Sequence, residues 1–192
     1  MSLLAGDEQT EPAIWLVTRP EDALTPAERA ACAALWRVAF PPPVGQAPAE
    51  QHRSAPAMRF LLYGAGDHLL AAATLTPATI AVNDERVPIA ALGGVATMPE
   101  QQRRGYGSRV VAAFAGYAAS KYAWALLSCR PDHRLFYERL GWRVLAGACT
   151  VTMPAGDRPS LGYLMALPLG ADAATRRDAW HTARIVLPPG EW

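Results

Sequence analysis

The sequence predicts an α/β fold with a mixed central sheet of about six to seven strands and flanking helices. Two observations predict it. Apolar runs of strand length alternate along the chain with stretches of helical periodicity, and residues typical of turns separate them. The chain also has 192 residues, 51% of them hydrophobic, which is enough for one domain with a large core and excludes a mainly disordered protein.

We expect residues 1–12 to form a disordered tail and residues 13–192 to form a single domain. The tail carries Asp7, Glu8 and Glu11 and has no basic segment before an apolar run, unlike a signal peptide. The three cysteines are far apart and lack the spacing of metal ligands. These features predict a cytoplasmic protein without structural disulfides or zinc.

The first elements are predicted by alternation and by helix-start residues. Ile14–Thr18 alternates apolar and polar side chains, which is typical of a strand. Thr25, Pro26 and Glu28 are a capping residue, a first helical residue and an acidic residue in the opening turn. We therefore expect a helix from this point to about Phe40.

Three antiparallel strands follow a proline-rich break. Residues 44–56 are predicted to be a surface loop or short helix that faces the substrate. Met58–Tyr63 and Leu69–Leu75 flank a Gly-Ala-Gly-Asp turn, and Val87–Met98 adds a third strand. The remaining elements are expected to be a helix over residues 107–120, a buried strand over 123–128, a short helix over 135–140, and strands near 144–153 and 163–168.

A basic, glycine-containing loop, residues 99–108, is the strongest local signal of function. Gly105 and Gly107 let the backbone approach a ligand closely, and the N–H groups at the start of the next helix can bind phosphate oxygens. A dinucleotide-binding fingerprint would need glycine at Val110, and a phosphate-binding P-loop would need lysine before Ser108. The alternative is a plain turn capped by Ser108.

Charge is unevenly distributed along the chain. The net charge is only +1, yet eight basic and two acidic side chains lie between Gln101 and Arg143. A local positive field of this kind suits a polyphosphate ligand. Nucleic acid is not expected, because exposed aromatic residues between the basic ones and a chain-wide basic excess are lacking. The longest apolar stretch, Val110–Leu127, is interrupted and too short for a membrane span.

The loop and a later block resemble the GNAT acyltransferase superfamily. The acyl-CoA loop of that family reads Gln/Arg-x-x-Gly-x-Gly/Ala, which Gln102, Gly105 and Gly107 match. A second block, residues 135–142, follows in the family's order and spacing, and the resemblance spans residues 14–168 in element order. It implies the GNAT fold with a splayed strand pair. It also implies an N-acetyltransferase that uses acetyl-CoA as acyl donor and no metal.

The resemblance further implies where acetyl-CoA binds. Pantetheine would lie between the splayed strands and pair with the backbone at Val95 and Thr97, while an N–H near Val95 or Ala96 polarises the thioester carbonyl. The residues expected to contact acetyl-CoA are Val95, Ala96, Thr97, Gln102, Arg103, Arg104, Gly105, Tyr106, Gly107 and Ser108. Gly93 and Gly94 predict a bulge or a close backbone approach within this strand; a packing requirement is the alternative.

Tyr137 is the predicted catalytic residue. Its phenol can protonate the departing thiolate, as the matching tyrosine does in many GNAT enzymes, although a core role is the alternative. A general base is harder to assign, because no acidic residue lies on the strand between Glu85 and Glu100. The candidates for the base are His133, His68, Glu191 and the terminal carboxylate of Trp192.

Within the family, the layout is most similar to the aminoglycoside 2′-N-acetyltransferases, whose acceptor pocket uses acidic residues and the C-terminal tail. Gly93 and Gly190 stand where that group has acidic residues, so we expect a different small-molecule amine. Gly93, Gly94, Glu191 and Trp192 are expected at the acceptor site. An aminoglycoside enzyme, a protein acetyltransferase and a non-catalytic acyl-CoA-binding module are the alternatives. No nucleic-acid or membrane partner is expected, and a homodimer is left open.

Overall fold

The computed structural model describes residues 13–41, 57–147, 149–151, 158–159 and 162–188. The strands are Trp15–Pro20 (β1), Met58–Gly64 (β2), His68–Val82 (β3), Glu85–Thr97 (β4), Trp124–Cys129 (β5), Arg143–Val144 (β6), Cys149–Val151 (β7), Arg158–Pro159 (β8), Tyr163–Pro168 (β9) and Ile185–Leu187 (β10). The helices are Pro26–Ala39 (α1), Tyr106–Ala119 (α2), Arg134–Glu138 (α3), Ala171–Thr175 (α4) and Arg177–His181 (α5). The predicted tail, the predicted loop 44–56, Glu191 and Trp192 lie outside the described residues.

All ten strands of the described residues belong to one sheet. Its order is β6-β9-β5-β4-β3-β10-β7-β8, and β2 pairs with β3 and carries β1 on its outer edge. β4 and β5 run parallel, whereas β1 to β4 are antiparallel neighbours, so the predicted mixed α/β fold is confirmed. Six strands have six residues or more, and the other four have two or three.

The start of α1 agrees with its sequence signals. Thr25 and Glu28 form a reciprocal capping box: the Glu28 N–H donates to Thr25 Oγ1 at 3.2 Å, and the Thr25 N–H donates to Glu28 Oε2 at 2.8 Å. The helix buries Cys32 and Leu35 against the sheet. The helix on the opposite face is α2, which buries Val110, Val111, Phe114 and Ala118.

Two predicted strands were wrong in extent. The strand expected over Leu69–Leu75 continues as β3 to Val82. The expected strand over residues 144–153 is two short strands, β6 and β7, that pair with different neighbours. Between them the N–H groups of Ala146 and Gly147 donate to the His181 carbonyl at 2.8 and 3.0 Å. Tertiary contact with the C-terminal helices therefore replaces a sheet partner at this point. No helix of the described residues is long and apolar enough to cross a membrane.

β4 and β5 separate after a short paired stretch. Their parallel register consists of Ala90 with Ala125 and Ala91 with Leu126. Beyond these pairs β4 continues to Thr97 and β5 to Cys129 without pairing to each other. The splayed strand pair implied by the family resemblance is confirmed, and it leaves a gap beside the second half of β4.

A β-bulge lies at the glycine pair of β4. The register passes from Thr74 opposite Gly93 to Ala72 opposite Ala96, so Ala73 faces both Gly94 and Val95. Gly94 has a φ of +57°, and its carbonyl accepts a hydrogen bond of 2.8 Å from the Trp36 indole N–H. The predicted bulge is therefore confirmed, and α1 contacts it directly.

The bulge generates a test with a matched control. A Cβ on Gly94 would lie 3.2 Å from both Trp36 Nε1 and Thr74 Oγ1, whereas a Cβ on Gly93 would meet nothing within 4 Å in the part of the chain that the structure describes. Gly94→Ala should lower the free energy of unfolding by about 1–2 kcal/mol, because alanine disfavours a left-handed backbone. Gly93→Ala should change it by less than about 0.5 kcal/mol. Urea denaturation of both variants measures the difference, and equal stabilities would contradict the assigned bulge.

Candidate functional site

The chain turns sharply between β4 and α2. Arg103 and Gly105 both have left-handed backbone, with φ values of 63° and 80°. Gly105 is the N-cap of α2, and its carbonyl accepts the Arg109 N–H at 3.1 Å. Among the described residues no side chain caps the helix, so the alternative of a turn capped by Ser108 is not what the structure shows. The first N–H groups of α2 are left to bind solvent or a ligand.

Gly107 brings three elements together at the start of α2. A Cβ at this position would lie 3.3 Å from Thr97 Oγ1 and 3.5 Å from Phe136 Cζ. The loop is therefore packed against the end of β4 and against α3. Gly105 differs, because a Cβ there would meet no described atom within 4 Å. The first glycine keeps open space beside the loop, and the second allows close packing.

The loop is electropositive. Arg103, Arg104 and Arg109 are exposed and make no ion pair within the described part of the chain, and the first turn of α2 holds no acidic residue. Glu100 is the acidic residue of the loop, and it is exposed. The next two acidic residues along the chain are paired: Asp132 with Arg130 and Glu138 with Arg134, each at 2.7 Å. Arginine charge and the positive end of the helix dipole therefore act together on an anion.

The predicted acetyl-CoA residues of β4 line one side of the gap. Val95 packs on the core that contains α2, while Ala96 is buried in the core beneath α1. Gly93 is exposed, and Gly94 is half-buried under Trp36. The strand thus runs from the expected acceptor glycines, through the expected acyl-binding backbone, to the basic loop.

Tyr137 lies on α3, next to the phenylalanine that contacts the loop. Its ring packs edge-to-face on Phe136, with centroids 4.9 Å apart, and on Trp142 at 6.2 Å. Burial raises the pKa of the Tyr137 phenol above its usual range, and the nearby Cys129 thiol adds a smaller effect. The phenol therefore keeps its proton throughout the physiological pH range. The packing serves the core. The phenol is protonated, as an acid must be, and its raised pKa makes it a weaker acid than an exposed tyrosine.

The candidate bases lie in different places. His133 is exposed just before α3, and its Nδ1 lies 3.5 Å from Asp132 Oδ1. His68 is exposed at the start of β3 and lines a cleft of about 570 Å³ between α1 and the basic loop, together with Arg104 and Tyr106. Neither histidine has a described contact with Tyr137. Glu191 and the terminal carboxylate lie outside the described residues.

Trp36 is the site residue that sequence reasoning missed. The apolar periodicity of α1 predicts a core position and says nothing about the contact between its indole N–H and the Gly94 carbonyl. A second cleft of about 570 Å³, which shares no residue with the basic loop, was also missed. Its lining includes the stacked rings of Trp124 and Trp180, with centroids 3.9 Å apart.

A family model and several solved structures match the chain. The model of the GNAT acetyltransferase domain matches residues 22–145. No curated protein matches. Similar structures include a Lactobacillus plantarum protein (TM-score 0.62, 21% identity, covering 82% of this chain and 99% of that chain). They also include the GNAT family N-acetyltransferase YhbS from Escherichia coli in complex with CoA (TM-score 0.59, 14% identity, covering 93% of this chain and 92% of that chain). A Pseudomonas aeruginosa acyl-CoA N-acyltransferase is similar too, with a TM-score of 0.59 and 15% identity, covering 80% of this chain and 99% of that chain. At these identities the structural similarity shows the fold.

Proposed function

The chain belongs to the GNAT acetyltransferase family, and from this premise we propose that it transfers the acetyl group of acetyl-CoA to a primary amine of a small molecule by direct attack. One observation carries the proposal. The gap between β4 and β5 opens beyond Ala91 and leads along β4 to the uncapped, arginine-flanked start of α2. A thioester with a long polar arm and a pyrophosphate could pair with the free backbone of β4 and with this positive charge.

We propose that the two ends of CoA bind to different features. The phosphates bind the N–H groups of residues 106–108 and the side chains of Arg103 and Arg104. Pantetheine binds in the gap, where the backbone at Val95 and Thr97 offers strand-like hydrogen bonds. The E. coli YhbS structure, which has the same fold, is a complex with CoA and supports CoA as the ligand.

The chemistry proposed is a single displacement. The amine nitrogen attacks the thioester carbonyl carbon, the C–N bond forms, and the C–S bond breaks with its electron pair on sulfur. A β4 backbone N–H stabilises the negative charge that develops on the carbonyl oxygen. The Tyr137 hydroxyl gives its proton to the departing thiolate, and the phenolate regains a proton, through water in the gap, from the nitrogen of the newly formed amide.

The attacking amine must also lose a proton. Alkyl amines have a pKa of about 10, so most of the substrate is protonated near neutral pH. β4 carries no acidic residue between Glu85 and Glu100 that could accept the proton directly. We propose that water in the gap relays it to solvent or to one of the candidate bases.

The acceptor is proposed to be a small amine that does not require many carboxylates. Gly93 is exposed and offers no side chain where the aminoglycoside enzymes place an acidic residue. A screen of thiol release with aminoglycosides, polyamines, amino acids and peptides separates the alternatives. Turnover with small amines alone supports the proposal. Turnover only with peptides would favour a protein acetyltransferase, and acetyl-CoA binding without turnover would favour a binding module.

Acetyl-CoA binding tests the loop assignment. At 100 times its dissociation constant the ligand should stabilise the protein by about 2.7 kcal/mol. Gly105→Asp should weaken binding by more than about tenfold, because it adds a side chain and a negative charge beside the proposed phosphate site. Gly105→Asn, which has the same shape without the charge, should weaken binding less.

The matched control for the loop variants is Gly116→Asp, which adds the same charge at an exposed position of α2 with open space around it. Isothermal calorimetry measures the affinity of all four proteins, including the wild type. Equal affinities of the wild type and Gly105→Asp would show that the loop does not bind the phosphates.

Tyr137→Phe tests the proposed acid. Removing the hydroxyl should lower turnover by roughly 10² to 10⁴-fold while the affinity for acetyl-CoA changes little. The defect should shrink above about pH 8.5, where thiolate needs no proton to leave. Wild-type activity should show no alkaline loss from this phenol below about pH 10, because its pKa is raised.

The control for the acid is Tyr122→Phe, which removes a hydroxyl from another half-buried tyrosine of the same core. Steady-state assays across pH 7–10 compare the three enzymes. If Tyr137→Phe loses thermal stability but keeps wild-type turnover, the tyrosine has only a core role.

A further inference from the structure

Trp36 joins α1 to the bulge of β4 by a side-chain hydrogen bond. Its indole N–H donates to the Gly94 carbonyl at 2.8 Å. Gly94 and Val95 together face the single residue Ala73, so at this point regular strand pairing does not fix the backbone. Gly94 also has a φ of +57°, and glycine gives the peptide considerable freedom to rotate. The indole therefore holds a peptide group at a point where the one-to-one pairing of β3 and β4 is interrupted.

The contact with Gly94 also determines where the Val95 N–H points. The Gly94 carbonyl and the Val95 N–H belong to the same planar trans peptide, so they point in opposite directions. Because Trp36 on α1 holds the carbonyl, the N–H is directed away from α1. The Val95 side chain and Tyr137 both pack on the core at the other face of the sheet. The Val95 N–H, which is the proposed donor to the thioester carbonyl, therefore points away from α1, although Trp36 on α1 fixes its direction.

The Trp36 ring also contacts a buried cation. The buried Arg59 guanidinium lies 4.4 Å from the centre of the Trp36 ring. Arg59 donates hydrogen bonds to the Thr74 hydroxyl on β3 and to the Glu21 carboxylate before α1. Strands, helix and indole therefore form a continuous set of contacts around Gly94.

We infer that Trp36 is a positioning residue, which orients the Val95 N–H toward the thioester carbonyl of bound acetyl-CoA. This inference rests on the proposed function. A side chain on α1, which lies outside the basic loop and the gap, thereby controls how strongly the acyl carbonyl is polarised. A donor aimed in advance at the carbonyl oxygen costs no reorganisation when negative charge develops there.

Isotope-edited infrared spectroscopy of bound [1-¹³C-acetyl]-CoA tests this inference without knowledge of the acceptor. In the wild type the thioester carbonyl stretch should fall below that of free acetyl-CoA. In Trp36→Phe, which keeps an aromatic ring but lacks the N–H, more than about half of that downshift should be lost, with the dissociation constant within about twofold of wild type. Trp15→Phe, at an exposed tryptophan on β1, should keep the full downshift.

A second variant guards against misfolding. Replacing Trp36 by 3-benzothienylalanine exchanges the N–H for sulfur in a ring of nearly the same shape, and it should lose the downshift as Trp36→Phe does. A full downshift in either variant would overturn the inference while leaving acetyl-CoA binding intact. A wild type that binds acetyl-CoA without any downshift would overturn it as well. A wild type that fails to bind acetyl-CoA would overturn both the inference and the proposed function.

Discussion

β4 pairs with β3 along most of its length, whereas on its other edge it pairs with β5 at only two residue pairs. Beyond Ala91 its partnership with β5 ends, and the bulge at Gly94 gives the free half of the strand its own course. This divergence creates the gap. It also determines the direction of the backbone N–H groups and the place where the basic loop begins. A straight β4 paired to Thr97 would leave no room for a ligand arm.

Close packing maintains the divergence. Gly94 lies under Trp36, where a Cβ would be only 3.2 Å from the indole nitrogen, and Gly107 lies against Thr97, where a Cβ would be 3.3 Å from Oγ1. The two glycines bring α1 and α2 into contact with opposite ends of the open half of β4. Tyr137 packs on Phe136, and Phe136 in turn lies against Gly107 of the loop. One small region therefore connects the core, the loop and the proposed acid.

The elements defined by local chemistry were predictable from sequence. Thr25, Pro26 and Glu28 predicted the start of α1, and the glycine pair predicted the bulge. The divided strand near residues 144–153 was not, because the contact of Ala146 and Gly147 with His181 joins segments that are distant in sequence. The Trp36 contact was hidden for the same reason: it spans 58 residues and involves a backbone carbonyl, which no side-chain pattern reveals. The acceptor side, including Glu191 and Trp192, remains a prediction.

The central claim is that acetyl-CoA binds along the open half of β4 and at the start of α2. Nuclear magnetic resonance of protein labelled with ¹⁵N only at glycine tests it directly, since glycines occur both inside and outside the proposed site. Addition of acetyl-CoA should shift the amide signals of Gly93, Gly94, Gly105 and Gly107, and should leave those of Gly66, Gly116 and Gly170 in place. Unmoved signals from Gly105 and Gly107 at saturating acetyl-CoA would contradict the account.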